Sequence, residues 1–362
     1  MLSSSVARLK PLVLFYSAAI TTLTLSAQLV CYEGFGDYSA GIQVESGSNG
    51  SAGTGIDAGA GWGGAFDVNN AIKSLIRIED RSANPVSYSN GEIAILGGNR
   101  ALRFYDVANS GYAVRRQLGA VFSATAGDTL WFSVLFRTAA GGASPLANQD
   151  FFQIGFDDNE NAASGVPRVS IGANTTQATF PSPYRFFARS TTAVSASAFY
   201  DDVSIAATTT YLLVGRVQAH EGIYDTVSLF VNPSKLGDPG PPSAELVLPS
   251  GLASLSHAFI RTVGLDNGDA YVLDEWHVAR DYGSVVQSLK DTLKFFPATS
   301  PESPAALRWP ASLNGVVLES STTLAPESWV ELPGPFALKG SERELPLPAE
   351  PLTVQRFFRL RR

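Results

Sequence analysis

The sequence is poor in the residues from which most catalytic centres and stapled scaffolds are built. Cys31 is its single cysteine, so no disulfide forms within the chain and a small secreted scaffold held by bridges is excluded. Its three histidines are His220, His257 and His277. None has a metal-ligand spacing such as His-x-x-x-His. Charged residues make up 16% of 362, against ~25% in ordinary globular chains, which argues against long helices with charged faces. There is no Gly-x-Ser-x-Gly elbow of the serine hydrolases. No repeat of 20–50 residues is visible, so a solenoid or propeller is unsupported. Basic charge is scarce too: the net charge is −7 and the pI about 5.1. Such a surface repels a phosphate backbone, so no nucleic-acid partner is expected. The only dense basic group is Arg356, Arg359, Arg361 and Arg362.

What the chain does have is glycine (33), proline (21) and 45% hydrophobic residues. Short strands joined by Gly, Pro, Asn and Asp turns suit that composition. Strand-like runs recur at Leu29–Phe35, Ala101–Val107, Tyr112–Phe122, Thr129–Thr138, Asp150–Asp157, Arg168–Gly172, Tyr184–Ala188, Thr210–Ala219, Asp225–Asn232, Ala258–Gly264 and Ala270–Ala279. In Asp225–Asn232, Val227, Leu229 and Val231 share one face, while Thr226, Ser228 and Asn232 share the other. That alternation predicts an antiparallel sheet with one dry side. Thr129–Thr138 is apolar on both sides and reads as a central strand. Residues 46–64 form a Gly/Ser/Ala-rich loop, and Asn69–Ile76 is the one short helix candidate.

The N-terminus reads as a secretory signal peptide over residues 1–27. Arg8 and Lys10 precede an apolar run from Pro11 to Ile20, which ends at Leu25-Ser26-Ala27. Its apolar stretch is short for a span of ~20 residues, so export is expected to the periplasm, cell surface or medium, with no membrane span after cleavage. A large β domain over 28–287 follows. A Pro/Ser hinge over 288–305 then leads to a small β module over 306–362. Trp309 and Trp329 are expected in the core of that module.

Three segments, taken in order, resemble a known family. They are Val30-Cys-Tyr-Glu-Gly-Phe-Gly-Asp-Tyr38 with Gly61-Trp-Gly-Gly64, then Tyr211–Val217 with Asp225–Pro233, then Tyr271-Val-Leu-Asp-Glu-Trp-His-Val278. Together they resemble the concanavalin A-like, laminin-G-like jelly rolls of exported bacterial proteins of planctomycete and verrucomicrobial type. The tail is similar to their fibronectin/immunoglobulin-like accessory modules. The resemblance implies an all-β fold: an antiparallel jelly-roll β-sandwich followed by a small β-sandwich module. It also implies a structural calcium ion between the first and last strands, with Glu33 and Asp274 as candidates. Asp157, Asp158, Asn159 and Asn161 form a second, compositional calcium candidate, with a plain solvated turn as the alternative.

Chemistry is thinly marked. Glucanases of this superfamily set two Glu and an Asp on alternate positions of one strand, and no Glu-x-Asp-x-Glu is present. Related alginate lyases carry Gln-Ile-His, whereas this chain has Gln153-Ile154-Gly155, which keeps the Gln and lacks the proton carrier. Glu275 and His277 lie two apart and read as a solvent-facing pair on a terminal strand. Sugar recognition needs aromatic faces, and Trp62, Tyr184, Phe186, Tyr200 and Tyr224 are candidates, each equally suited to core packing. The sequence therefore points to a non-catalytic protein binding a glycan or cell-surface component. A diverged glycoside hydrolase or lyase, and a structural matrix protein, are the alternatives.

Overall fold

Runs of β-branched and aromatic residues broken by turn residues dictate strands, and the computed structural model of the protein contains little else. It describes residues 29–36, 38–41, 44, 59, 61–69, 76–105, 110–125, 127–138, 151–158, 168–174, 185–190, 197–200, 205–265, 270–286, 293–296, 304–310, 317–323, 328–339, 342–347 and 356–361. The expected signal peptide, Tyr184, Asn159 and Asn161 lie outside the described residues.

The strands of the large unit are β1 (Leu29–Glu33), β2 (Asp67–Asn69), β3 (Ile76–Asp80), β4 (Ser87–Asn90), β5 (Ile93–Leu96), β6 (Arg100–Tyr105), β7 (Ser110–Ser123), β8 (Thr129–Thr138) and β9 (Phe151–Asp157). They continue with β10 (Val169–Asn174), β11 (Arg185–Ser190), β12 (Ser197–Tyr200), β13 (Thr210–His220), β14 (Ile223–Val231), β15 (Ala244–Leu252), β16 (Ser254–Leu265) and β17 (Ala270–Ala279). One turn of helix, α1 (Tyr282–Val285), follows, started by Asp281, whose side chain accepts from the Ser284 amide. The helix expected over 69–76 begins and ends in strand residues, Asn69 in β2 and Ile76 in β3.

These strands make a jelly-roll sandwich of two antiparallel sheets. An eight-stranded sheet runs β15-β14-β13-β8-β17-β6-β3, with β1 paired to β17. A seven-stranded sheet runs β12-β11-β10-β9-β16-β7-β2. Their facing sides form one core that includes Phe132, Phe136, Phe152, Ile154, Phe156, Phe186, Ile260, Leu273 and Trp276, each contributing ~1.5–3 kcal/mol by leaving water. The strand apolar on both sides, β8, is central as expected. Its Phe132, Val134 and Phe136 face the core, and its Trp131 and Leu135 face a second apolar cluster. That second cluster lies on the outer side of the eight-stranded sheet and draws in Tyr88, Ile93 and Ile95 from the β4–β5 hairpin and Val285 from α1. The eight-stranded sheet is thus covered on both faces. The outer face of the seven-stranded sheet has a different chemistry.

Cys31 sits in β1, buried in the core, and burial pushes its thiol up to about 12. Such a thiol is inert at neutral pH.

Seven strands lie beyond residue 293: β18 (Lys294–Phe296), β19 (Ala306–Pro310), β20 (Val317–Ser321), β21 (Val330–Glu331), β22 (Ala337–Lys339), β23 (Glu342–Pro346) and β24 (Phe357–Arg361). They form a small sandwich from the sheets β18-β19-β23-β22 and β21-β20-β24. Trp309 is buried against Phe336, whereas Trp329 is only half-buried. The expected hinge over 288–305 needs correcting at Lys294. Phe295 pairs with Leu307, so β18 already belongs to the module's sheet, and the Pro/Ser run connects two paired strands.

Candidate functional site

Side-chain alternation fixes which residues leave the core. In β9, Phe152, Ile154 and Phe156 point inward, so Phe151, Gln153, Gly155 and Asp157 point outward. In β11, Phe186 and Ala188 point inward, so Arg185, Phe187 and Arg189 point outward. The same parity turns out Ser170 and Gly172 of β10, Phe199 of β12, His257, Phe259 and Arg261 of β16, and Arg115 of β7. Register then places them side by side: Gln153 lies between Gly172 and Arg261, and Asp157 lies opposite His257. Phe187 lies between Gly172 and Phe199.

The result is a layer of guanidinium groups and phenyl rings on one sheet face. Arg189 lies 4.6 Å from the Phe187 ring and 4.9 Å from the Phe151 ring, and Arg261 lies 5.8 Å from Phe151. Arg168 lies 5.1 Å from the Phe259 ring. Such contacts hold a planar cation on an aromatic quadrupole. Glycine at 172 makes room, because a Cβ there would collide with the Phe152 carbonyl and the Phe187 ring.

At one end of the face, the arginines have a counter-charge. Asp157 Oδ2 accepts from Arg115 Nη2 at 2.6 Å and lies 3.6 Å from Arg168 Nε, all three being buried. At the other end, among the described residues, they have none. Arg189 donates through Nε to the neutral Ser197 hydroxyl at 2.7 Å, and its Nη2 is buried without a partner. Arg261 has no carboxylate partner among the described residues. Burial, and then repulsion from Arg261, pulls the Arg189 guanidinium down to about 10. Burial, repulsion from Arg115 and Arg261, and the opposing pull of Asp157 leave Arg168 at about 10. Gln153 donates to the Ser170 hydroxyl, and its Oε1 is buried without a partner.

The aromatic residues expected to stack on sugars fall elsewhere. Phe186 and Tyr224 lie between the sheets, at 0% and 1% exposure, and Tyr200 packs against the same core. A pyranose has no access to the ring faces of Phe186 and Tyr224. Trp62 is half-buried beside β7, bridging to Leu118, with its indole N–H donating to the Tyr32 carbonyl at 2.9 Å. Its ring packs on Trp276 and on Arg116. The outward rings are the neighbours of two of these choices, Phe187 beside Phe186 and Phe199 beside Tyr200.

The calcium candidates do not converge. Glu33 faces the core beside Trp276, and Asp274 faces the opposite side of the same sheet beside Leu135. Both Glu33 oxygens are engaged: Oε1 accepts from the Phe35 amide at 2.9 Å, and Oε2 accepts from Tyr38 at 3.0 Å and Arg116 at 2.5 Å. Asp157 is neutralised by arginine, and Asp158 is exposed. No group of three or more acidic, His or Cys side chains suited to a metal occurs among the described residues. Glu33 and Asp274 therefore do not meet around one ion, while the second candidate includes Asn159 and Asn161, which lie outside the described residues.

Nor does the pair Glu275 and His277 sit on a solvent-facing terminal strand. Both are buried, on β17 in the middle of the eight-stranded sheet, and a bulge at Glu275 with φ +52° interrupts their alternation. Tyr32 donates to Glu275 Oε1 at 3.1 Å. Ser133 Oγ lies 3.4 Å from His277 Nδ1 but donates to the Val285 carbonyl at 2.6 Å. Its proton is thus directed away from the imidazole, and burial pushes His277 down to about 4.

The outer face also lacks the spacing of a glycosidase. Its described carboxylates other than exposed Asp158 are Asp157 on β9 and Asp67 on β2, three strands apart. At ~4.8 Å per strand that separation exceeds the ~5–5.5 Å of a retaining pair and the ~6.5–9.5 Å of an inverting pair. In the lyase pattern, Gln153 does face outward, but Gly155 occupies the histidine's position. The nearest outward imidazole, His257, lies on the neighbouring strand opposite Asp157, two residues beyond Gly155, or roughly 7 Å along the strand at 3.2–3.4 Å per residue.

No protein-family model and no curated protein matches the sequence. Solved structures similar in shape include an alginate lyase mutant complexed with an alginate tetrasaccharide (11% identity, 60% of this chain and 87% of that one, TM-score 0.37). A winged bean acidic lectin complexed with methyl-α-D-galactose is similar at 9% identity, over 59% of this chain and 98% of that one, with a TM-score of 0.36. Lectin II from Ulex europaeus is similar at 12% identity, over 59% and 97%, with a TM-score of 0.34. At scores this low, the fold assignment rests on the sheets and register described above, and the ligands of those proteins remain theirs.

Proposed function

We propose that this is an exported, non-catalytic glycan-binding protein whose ligand lies on the outer face of the seven-stranded sheet. The observation that carries this reading is the company kept by Gln153. A buried amide with an unpartnered Oε1 stands beside phenyl faces and guanidinium donors on a single sheet face. Amides and guanidinium groups hydrogen-bond hydroxyls, and of the outward rings the half-buried Phe199 is the one with a face open to a pyranose, Phe151 and Phe187 being buried. Binding is favoured over hydrolysis because, among the described residues, Asp157 and Asp67 on this face are too far apart for either stereochemical course. The small C-terminal sandwich is an accessory or attachment module in this reading.

A glycan screen of the purified protein, with and without calcium, tests the proposal when run beside reducing-sugar release from the same polysaccharides. Binding without release is the expected result. Release of sugar would replace the reading with an enzyme, and Asp157, Asp158 and His257 would be the first residues to substitute. Binding to neither glycan nor polysaccharide would sink it.

A further inference from the structure

Among the described residues, the outer face carries a charge imbalance that the fold itself does not need. Two guanidinium groups, Arg189 and Arg261, flank the one ring of Phe151. They repel each other, since Arg261 is the charge that acts most strongly on Arg189. Arg189 is 4% exposed, and among the described residues its only polar partner is the Ser197 hydroxyl. A buried cation without a counter-charge is costly to desolvate, and a second cation beside it adds repulsion. The other end of the face shows the contrast, with the Asp157 carboxylate shared by Arg115 and Arg168. A purely structural face would place a carboxylate between Arg189 and Arg261 as well.

Resting on the glycan reading above, we propose that the ligand is an acidic polysaccharide, and that Arg189 and Arg261 clamp one of its anionic groups, a carboxylate or a sulfate. Arg261 is half-buried, so the anion enters from its side, while Arg189 forms the inner wall. A planar guanidinium presents a donor fork that matches either oxyanion. Gln153 lies directly across from Arg261 in the register. Its amide oxygen takes a hydroxyl of the sugar that carries the charge. The ligand supplies the missing counter-charge, so the unliganded protein holds this corner at a cost in stability.

The test titrates the purified protein with polygalacturonate (carboxylates only), with a sulfated galactan (sulfates only), with the carboxyl-reduced and desulfated form of each, and with inorganic sulfate alone. One acidic polymer is expected to bind, and neutralising its anionic groups should weaken it roughly 10- to 100-fold, as loss of charged hydrogen bonds does. Arg261→Gln should lower affinity by the same factor. Arg189→Met should abolish binding and raise the Tm of the unliganded protein, an outcome that a merely structural arginine would not give. Equal binding of neutral and acidic forms, or an Arg261→Gln variant of unchanged affinity, would overturn the anionic clamp and leave glycan binding standing. Competition by inorganic sulfate as strong as by the polymer would overturn it as an anion site without glycan recognition. Binding to none of the polymers would overturn both readings.

Discussion

Arg116→Met is expected to cost about 3–5 kcal/mol of folding stability, the loss typical of breaking a buried ion pair from one side. Arg116 comes from β7 of one sheet and Glu33 from β1 of the other, and each is 1% exposed. The guanidinium lies 4.9 Å from the Trp62 ring and 4.8 Å from the Phe66 ring, and its Nε donates to the Gly64 carbonyl at 2.8 Å. It therefore ties the two sheets to the segment that runs between β1 and β2. With Arg116 gone, the Glu33 carboxyl keeps the Phe35 amide and the Tyr38 hydroxyl but loses its counter-charge. The double variant Glu33→Leu/Arg116→Met should recover most of the loss, because an apolar pair has no charge to desolvate. Urea denaturation at pH 7 reads both values. A single variant within 1 kcal/mol of the parent, on the scale of an exposed pair, would show that this contact holds nothing together.

The second large effect is hidden in the parent protein and exposed by substitution. Burial pushes the Glu33 carboxyl from 4.5 up to about 7, against the pull of Arg116, the Phe35 amide and Tyr38. Between those values the folded state holds a proton that the unfolded chain has released, so this group makes stability fall as pH rises. Burial pulls His277 from 6.5 down to about 4. Here the unfolded chain holds the extra proton, so stability rises with pH across that window. The two slopes oppose each other between pH 4.5 and 6.5 and should leave their joint contribution nearly flat there. Removing one uncovers the other. Relative to the parent, His277→Gln should lose on the order of 3 kcal/mol between pH 4 and 6.5, the window in which His277 acts, at 1.36 kcal/mol per pKa unit. Glu33→Gln should gain a similar amount between pH 4.5 and 7. Denaturation midpoints across pH 4–8 give the difference curves. Parallel curves for parent and variants would refute the assignment of both groups.

Much of the fold is legible in the residues. The strand apolar on both sides, Thr129–Thr138, is central because only a sheet covered on both faces accepts Trp131 and Phe132 together. The runs at Thr210–Ala219 and Ala270–Ala279 appear at nearly their full lengths. Less legible are β3, the β4–β5 hairpin and β15, which carry charged or turn residues and gain their order from pairing with distant strands. Of the helix expected at Asn69–Ile76 only the two ends are described, and both are strand residues, Asn69 paired with β7 and Ile76 with β6; residues 70–75 lie outside the described residues.

The outer face was within reach of a parity argument. In Arg185-Phe186-Phe187-Ala188-Arg189, the two arginines share alternation with Phe187, which marks Phe187 as outward and Phe186 as core. A slip of one residue turns a whole strand face over, and the choice of Phe186 and Tyr200 as sugar platforms is such a slip. The polar residues Gln153, Asp157 and Arg261 give the same parity on β9 and β16. Adjacent Arg115 and Arg116 give no parity signal. One faces Asp157 on the outside and the other faces Glu33 within, and only the register of β7 decides between them. The burial of Glu275 and His277 was equally hidden, because a bulge at a left-handed residue leaves no mark in the alternation.

The most direct test of the central claim is hydrogen–deuterium exchange of the protein with and without a bound glycan. Ligand on the outer face of the seven-stranded sheet predicts slowed exchange in peptides spanning 151–157, 185–190 and 254–265, with no change over 294–361. Protection confined to the C-terminal sandwich, or to the β4–β5 hairpin over the other sheet, would place the ligand elsewhere and contradict the account.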